Sequence, residues 1–325
     1  MTEKTGMDGI LNVLKPPGMT SHDVVDVLRR LAGLKRVGHT GTLDPGAAGV
    51  LVCCLGRATR LSEFLMDADK EYRVELRLGT RTSTGDAYGE ILPPPDPPAG
   101  GPRPVRPITR AAFEGVLRKF TGEILQVPPM VSAIHHEGAR LYQLARRGEV
   151  VDVQPRRISV HRIDMLWADR DWTRSLLHVV CGKGTYIRKL CADIGDVLAV
   201  GGYAHFMVRT RAGQFTLEAA ATLEELAVRA REGALQDLLA TMDEAVSHLP
   251  VVDLPDRSVS DVLHGHPVPV WKVGESALQP DTPIRLRSRR GALVALARVE
   301  DGVLRPFKVL GGVEGGPVAH RVRPR

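Results

Sequence analysis

The sequence predicts an α+β chain, with one large unit of mixed helices and strands followed by a small β-rich module. Three patterns carry this. From Tyr72 to Leu78 the residues alternate strictly, with Tyr72, Val74, Leu76 and Leu78 on one face and Arg73, Glu75 and Arg77 on the other, the period of a half-buried strand. Val24, Val27, Leu28 and Leu31 fall at i, i+3, i+4 and i+7, one face of a helix. Between residues 250 and 310, runs such as GALVALARV and VLRPFKVL are separated by turns and show no helical period, which predicts a separate module of strands.

In order along the chain, DGILNVL (8–14) is a short apolar strand and KPPGMT a turn, after which Thr20 or Ser21 can cap the first helix. The loop GHTGTLDPG (38–46) leads into VLVCCLG, a run too apolar to be anything but a buried strand. Residues 92–107, LPPPDPPAGGPRPVRP, hold eight prolines in sixteen positions. They predict an extended, partly polyproline excursion. AAFEGVLRKF then reads as a helix, and QVPPMVSAIHHEGARLYQLARRGEVV as a protruding segment. ISVHRIDML and SLLHVVC are strands, and CGKGTYIRKLCADIGDVL (181–198) is a loop entering a helix. Residues 217–248 read as two amphipathic helices, and 311–325 as a flexible basic tail.

A chain of 325 residues, 43% hydrophobic, can bury a large core. It has no run approaching the roughly 18 apolar residues of a membrane span, and its first residues lack a secretory layout, so a soluble, cytoplasmic protein is expected. Cys53, Cys54, Cys181 and Cys191 sit in apolar runs without CxxC spacing, as buried reduced thiols do. HHEGAR is not HExxH, and the His264, His266 pair is followed by proline, so no metal site is predicted. The net charge of +6, concentrated in clusters such as ARRG and RSRRG, suits a polyanionic partner. With aromatics at 4%, base contacts must come from a few individual rings.

Chemistry has two candidate homes. Asp-Pro-Gly is strong turn chemistry, so Asp44 is either a turn residue or a catalytic group on a loop held by a buried strand. In the helix of the second segment, Ile187, Leu190, Cys191, Ile194 and Leu198 form the core stripe, which leaves Arg188 off it in the first turn, where a cation opposes the helix dipole. Either Arg188 is a solvated surface residue, or it meets a carboxylate or phosphate. GKGT lacks the GxxxxGK[ST] spacing of a nucleotide loop. Tyr72 opens the alternating strand on its apolar face and serves either as core packing or as a ring bordering a pocket.

GHTGTLDPGAAGVL, KEYRVELRLGTRTSTGDAYGE and GKGTYIRKLCADIG together resemble the TruB-type tRNA pseudouridine synthases. VLKPPGMTS, VPPMVSAIHHEGARLYQLARRG and GVLRPFKVL extend the likeness over most of the chain in the right order. The resemblance implies a mixed, mainly antiparallel sheet flanked by helices over residues 1–248, with 92–107 as a surface insertion rather than a linker. It also implies an RNA-gripping insertion at about 121–157 and a PUA-like RNA-binding domain at 249–310. The implied activity is isomerisation of the uridine at position 55 of the tRNA T loop, without metal or organic cofactor and without an obligatory protein partner. By residue, Asp44 matches the catalytic aspartate, Arg188 its arginine partner, and Tyr72 the tyrosine that stacks on the flipped uracil. His39 matches the histidine that fills the gap left in the T loop, Tyr186 and Met207 match pocket positions, and Asp86 an acidic position supporting Arg188. Lys15 of VLKPPGMTS is expected at the substrate. His135 stands where the family usually has lysine, which makes charge on the gripping insertion dependent on pH. A guide-RNA-dependent relative and a non-catalytic RNA-folding protein are the alternatives; the SAIHHEGARLYQLARRG segment favours the standalone enzyme.

Overall fold

The computed structural model describes residues 7–93, 108–129, 151–270 and 282–311, with isolated positions from 132 to 149. The elements begin with strand β1 (Gly9–Lys15), helix α1 (Ser21–Ala32), β2 (Val37–His39), β3 (Ala48–Leu55), α2 (Ser62–Met66) and β4 (Lys70–Leu78). The short pair β5 (Arg81–Thr82) and β6 (Ile91–Leu92) precedes α3 (Arg110–Lys119), β7 (Gly122–Gln126) and a second short pair, β8 (His135–His136) and β9 (Ala139–Arg140). Then come β10 (Arg156–Ala168), β11 (Arg174–Cys181), α4 (Ile187–Val197), β12 (Gly202–Ala212), β13 (Phe215–Thr216), α5 (Leu223–Arg231) and α6 (Met242–Ala245). The last group is β14 (Val251–Leu254), α7 (Asp256–Leu263), β15 (Val268–Pro269), β16 (Ile284–Ser288), β17 (Leu293–Glu300) and β18 (Val303–Val309).

The large sheet runs β1-β3-β12-β4-β11-β10-β7, with β2 added to β3 and β13 to β12. Its pairs are antiparallel except β3 with β12. The alternation from Tyr72 to Leu78 becomes β4, with buried residues on one face. On that face Val74, Leu76, Leu177 and Val179 pack under α4 through Ile187, Leu190, Cys191 and Ile194, and under α3 through Phe113 and Val116. Leu11, Val13, Leu51 and Cys53 pack against α1, whereas Ile10, Val50, Val52 and Cys54 face α2 and α6. β3 is therefore covered on both faces, which explains its unbroken apolar run. All four cysteines are buried free thiols.

Thr20, not Ser21, caps α1: its hydroxyl accepts from the Asp23 N–H while the Asp23 carboxylate accepts from the Thr20 N–H, a reciprocal capping box. That frees Ser21 for the site. Gly195 is where α4 touches the turn into β12; a Cβ there would lie 2.2 Å from the Gly202 nitrogen, so only glycine lets the helix sit so close.

The second sheet, β14-β16-β17-β18-β15, encloses its own core of Val252, Leu254, Val262, Ile284, Leu286, Val294 and Leu304. It docks on the large unit through Leu293, Leu296 and Leu310, which join Ile10 and Val50 in one apolar cluster, and through Arg57, whose guanidinium donates to the Leu310 carbonyl at 3.2 Å. The mixed α+β class with a mainly antiparallel sheet and a β-rich C-terminal domain is as expected, with two local differences. The second helix expected before residue 248 is reduced to the single turn α6. A helix, α7, appears inside the β-rich region, where Ser258, Val259 and Val262 are buried at helical spacing that the surrounding strand pattern masks. Residues 94–107 of the proline-rich stretch and the basic tail beyond Gly311 lie outside the described residues.

Candidate active site

The Asp-Pro-Gly segment is a turn: the Ala47 N–H donates to the Asp44 carbonyl at 3.0 Å. Its flanks are anchored. Leu43 and Ala47 are buried in the main core, and the Leu43 N–H donates to the Ser21 hydroxyl at 2.8 Å while that hydroxyl donates to the Leu43 carbonyl at 3.1 Å. Upstream, the Thr40 N–H donates to the Val52 carbonyl at 3.0 Å. Between these anchors the Asp44 side chain is 33% exposed. The turn presents one open carboxylate at the edge of the core.

Arg188 meets that carboxylate in a fork. Nε donates to Asp44 Oδ2 at 2.8 Å and Nη2 to Oδ1 at 2.9 Å, and Nη1 donates to the Thr84 carbonyl at 2.7 Å. The Arg188 side chain is 4% exposed, so it is not a solvated surface arginine. It lies off the helix stripe, yet the 82–88 turn and the Asp44 turn cover it. Asp86 Oδ2 is 3.8 Å from Arg188 Nε, and the other Asp86 oxygen accepts from the Thr84 hydroxyl at 2.6 Å and the Tyr88 N–H at 3.0 Å. Asp86 thus shapes the loop whose Thr84 carbonyl holds the guanidinium. The loop is tied to the sheet by the Ala204 N–H, which donates to the Gly85 carbonyl at 3.0 Å. Bidentate charge-assisted bonds of this kind are the strongest a carboxylate makes with a side chain.

The other residues predicted for the site divide. Tyr72 and Met207 are buried in the cluster that holds Leu43, Ala47 and Ile187. Burial pushes the Tyr72 phenol up from its ordinary pKa, with the Arg209 guanidinium beside it pulling the other way. Tyr186 immediately precedes α4 and is half-buried, and burial raises its pKa as well. The Gln126 amide brackets it, accepting from the Tyr186 N–H at 2.8 Å and donating to the Tyr186 carbonyl at 3.2 Å. His39 ends β2, half-buried, with Nδ1 accepting from the Gly41 N–H at 3.4 Å.

Lys15 is a correction. Its side chain is fully buried and its ammonium donates to the carbonyls of Pro16 at 2.8 Å, Met19 at 2.6 Å and Pro45 at 3.2 Å. All three donors are used on main-chain oxygens, so Lys15 staples the Asp44 turn to the segment after β1 and offers nothing to a substrate. Desolvation lowers its pKa to about 8, against the raising influence of Asp44. The His135 side chain lies outside the described residues; only its backbone, in β8, is placed.

Arg209 was not foreseen. It is buried, a direct cross-strand neighbour of Tyr72, and donates to the carbonyls of Val50 at 2.7 Å, Gly41 at 3.0 Å and Thr42 at 3.4 Å. It fastens the start of the 40–47 loop to β3 as Lys15 fastens its end. Simple alternation from Gly202 would turn Arg209 outward, but the β12–β4 register shifts between Ala204 and Phe206 and brings Met207 and Arg209 to the buried side. A buried cation among carbonyls is the signal, and the bulge hides it from a reading of periodicity.

The TruB family model of the pseudouridylate synthase N-terminal domain matches residues 29–187, and that of the tRNA pseudouridylate synthase B C-terminal domain matches residues 188–247. The tRNA pseudouridine synthase B of Pelotomaculum thermopropionicum is 48% identical over 278 residues, 85% of either chain. The chain belongs to the TruB family of pseudouridylate synthases. The tRNA pseudouridine synthase B of Moorella thermoacetica is 44% identical over 93% of this TruB-family chain and 99% of its own length. Among solved structures, a chain of the archaeal box H/ACA sRNP Nop10–Cbf5 complex aligns with a TM-score of 0.70 at 26% identity, over 96% of this chain and 89% of that one. A chain of an H/ACA RNP bound to a substrate RNA containing 2'-deoxyuridine aligns with a TM-score of 0.72, also at 26% identity, over 96% and 87%. The border between the two family models falls inside α4, so both matched parts contribute to one sheet and to the Asp44–Arg188 pair.

Proposed function

We propose that this TruB-family isomerase converts the uridine at position 55 in the T loop of tRNA to pseudouridine, with Asp44 as the group that attacks or deprotonates the substrate. The observation that carries this reading is the fork from a buried Arg188 to an otherwise open Asp44. Breaking N1–C1′ and rejoining C5–C1′ requires an ionised carboxylate. The fixed guanidinium holds the orientation of the Asp44 carboxylate when RNA displaces water from the pocket.

A uridine inside a folded loop must leave the stack before its glycosidic bond can be reached, and the vacated space needs a surrogate. His39, at the rim of the loop that carries Asp44, is assigned that place. Tyr72 is assigned the stack on the flipped uracil, Tyr186 and Met207 the flanks of its pocket, and Asp86 the support of Arg188. Residues 1–248 then form the catalytic domain, about 121–157 grips the T arm, and 249–310 is a PUA-like RNA-binding domain. The reaction needs neither metal nor organic cofactor. A guide-RNA-dependent role is favoured less, because the chains of H/ACA assemblies are 26% identical whereas relatives named tRNA pseudouridine synthase B reach 48%. A purely RNA-folding role would leave the Asp44–Arg188 fork without a use.

The test is tritium release from T-loop uridine labelled at C5, comparing the wild-type chain with Asp44→Asn. Release by the wild type alone is expected. Binding of tRNA without release by the wild type would sink the enzyme reading, and release only with an added guide RNA would favour the guide-dependent one.

A further inference from the structure

Tyr88 stands beside the catalytic turn. Its side chain is among the most open of the large apolar and aromatic ones, the residue being 73% exposed. One edge of its ring lies against the backbone of Gly46: a Cβ on Gly46 would sit 2.1 Å from Tyr88 Cε2 and 3.0 Å from Cζ. Gly46 is two residues from Asp44, their Cα atoms being at most about 7.6 Å apart, so the ring lies against the turn that carries Asp44. The backbone of Tyr88 is fixed by the Asp86 carboxylate that accepts its N–H, in the loop that holds Arg188. The ring thus bridges the two loops that build the Asp44–Arg188 pair.

Two other exposed aromatic rings are engaged by cations, Trp167 by the Arg174 guanidinium at 6.0 Å and Phe307 by Arg298 at 4.6 Å, whereas Phe206 on β12 is exposed without such a contact among the described residues. No ring or cation covers Tyr88 among the described residues. An anchored aromatic face open to solvent at the mouth of a site that extrudes a nucleotide is a stacking platform, because every base offers a π-face whatever its sequence.

We propose that the Tyr88 ring stacks on the base of a nucleotide adjoining the target uridine and holds the RNA strand against the Asp44 turn. This rests on the reading of the site as an RNA-modifying centre. Tyr88 is then a substrate-binding residue of the cleft mouth, distinct from the pocket that takes the target base.

The experiment measures dissociation constants at fixed salt for the full chain, with wild type, Tyr88→Ala and Tyr88→Phe. The probes are a T-arm stem-loop and the same stem-loop made abasic at the nucleotide 5′ or 3′ of the target, or at both. Tyr88→Ala is expected to weaken binding of the intact stem-loop about tenfold, the effect of losing one base–aromatic stack. Tyr88→Phe should stay within about twofold, and one of the single abasic probes should abolish the difference between wild type and Tyr88→Ala. Equal affinities on the intact RNA overturn the proposal, as does a tenfold gap that persists with both neighbours abasic, or a Tyr88→Phe variant as weak as Tyr88→Ala. Tritium release by the wild type on the same stem-loop reports separately on the enzymatic reading. Its absence with the binding gap intact sinks that reading and leaves the stack standing.

Discussion

Replacing Arg188 by lysine separates the fork from the charge. Arg188 donates two hydrogen bonds to Asp44 and one to the Thr84 carbonyl. A lysine ammonium keeps a cation near the carboxylate but is a point donor without the planar fork, so it can hold one Asp44 oxygen and leaves the other free to turn. A hydrogen bond to a charged group contributes about 1.5–3 kcal/mol. If one such bond to Asp44 is lost and the orientation is needed in the transition state, the first-turnover rate should fall about 10- to 150-fold, since about 1.4 kcal/mol is tenfold. Because Arg188 is buried behind Asp44, RNA affinity should change little. Single-turnover tritium release with enzyme in excess, beside filter-binding affinities for the same RNA, reads both quantities. A wild-type rate for Arg188→Lys would refute the idea that geometry as well as charge is required. A fall in affinity matching the fall in rate would show that Arg188 acts in binding the ground state instead.

Two further outcomes follow from the same geometry. The folded Lys15 releases its proton at about 8 whereas the unfolded lysine holds it to 10.5. In that window the unfolded chain binds more protons, and this group adds stability as pH rises through it; the stability of the wild type relative to Lys15→Met, from urea unfolding at pH 7.5 and pH 10, should therefore increase, and an unchanged difference would count against the buried ammonium. His39→Ala should slow turnover on folded tRNA more than on a short, already open T-loop fragment, and equal losses on both would remove the gap-filling role.

Local pattern made much of this chain legible. The strand from Lys70 to Leu78 and the stripe of α4 declare themselves because one face of each is buried against a continuous core, and burial on one face leaves a period in the sequence. Arg188 stands out in the sequence because a cation in a first helical turn is locally unfavourable, and the fork to Asp44 is where that cost is offset. Lys15 and Arg209 leave no legible mark of their roles in the sequence for one reason. Both are cations whose partners are main-chain carbonyls, and every residue carries a carbonyl, so no residue type marks the acceptor. Arg209 was further hidden by the shift in β12 register, which brings inside a residue that simple alternation would turn outward.

The sequence by itself determined the elements, the apolar faces that must meet, and a loop of Asp-Pro-Gly chemistry at the end of a buried strand. Those follow from interactions within a few residues, whose spacing is written in the chain. Only the tertiary structure decided that Asp44 is an open carboxylate gripped by an arginine 144 positions away, that Lys15 is a staple rather than a contact for substrate, and that Tyr88 leans on Gly46 at the mouth of the site. Each is a meeting between separate segments: α4 and the 82–88 loop packed against β12 for the first and third, and the segment after β1 held to the Asp44 turn for Lys15. Their distances depend on register and helix seating, which no local period records.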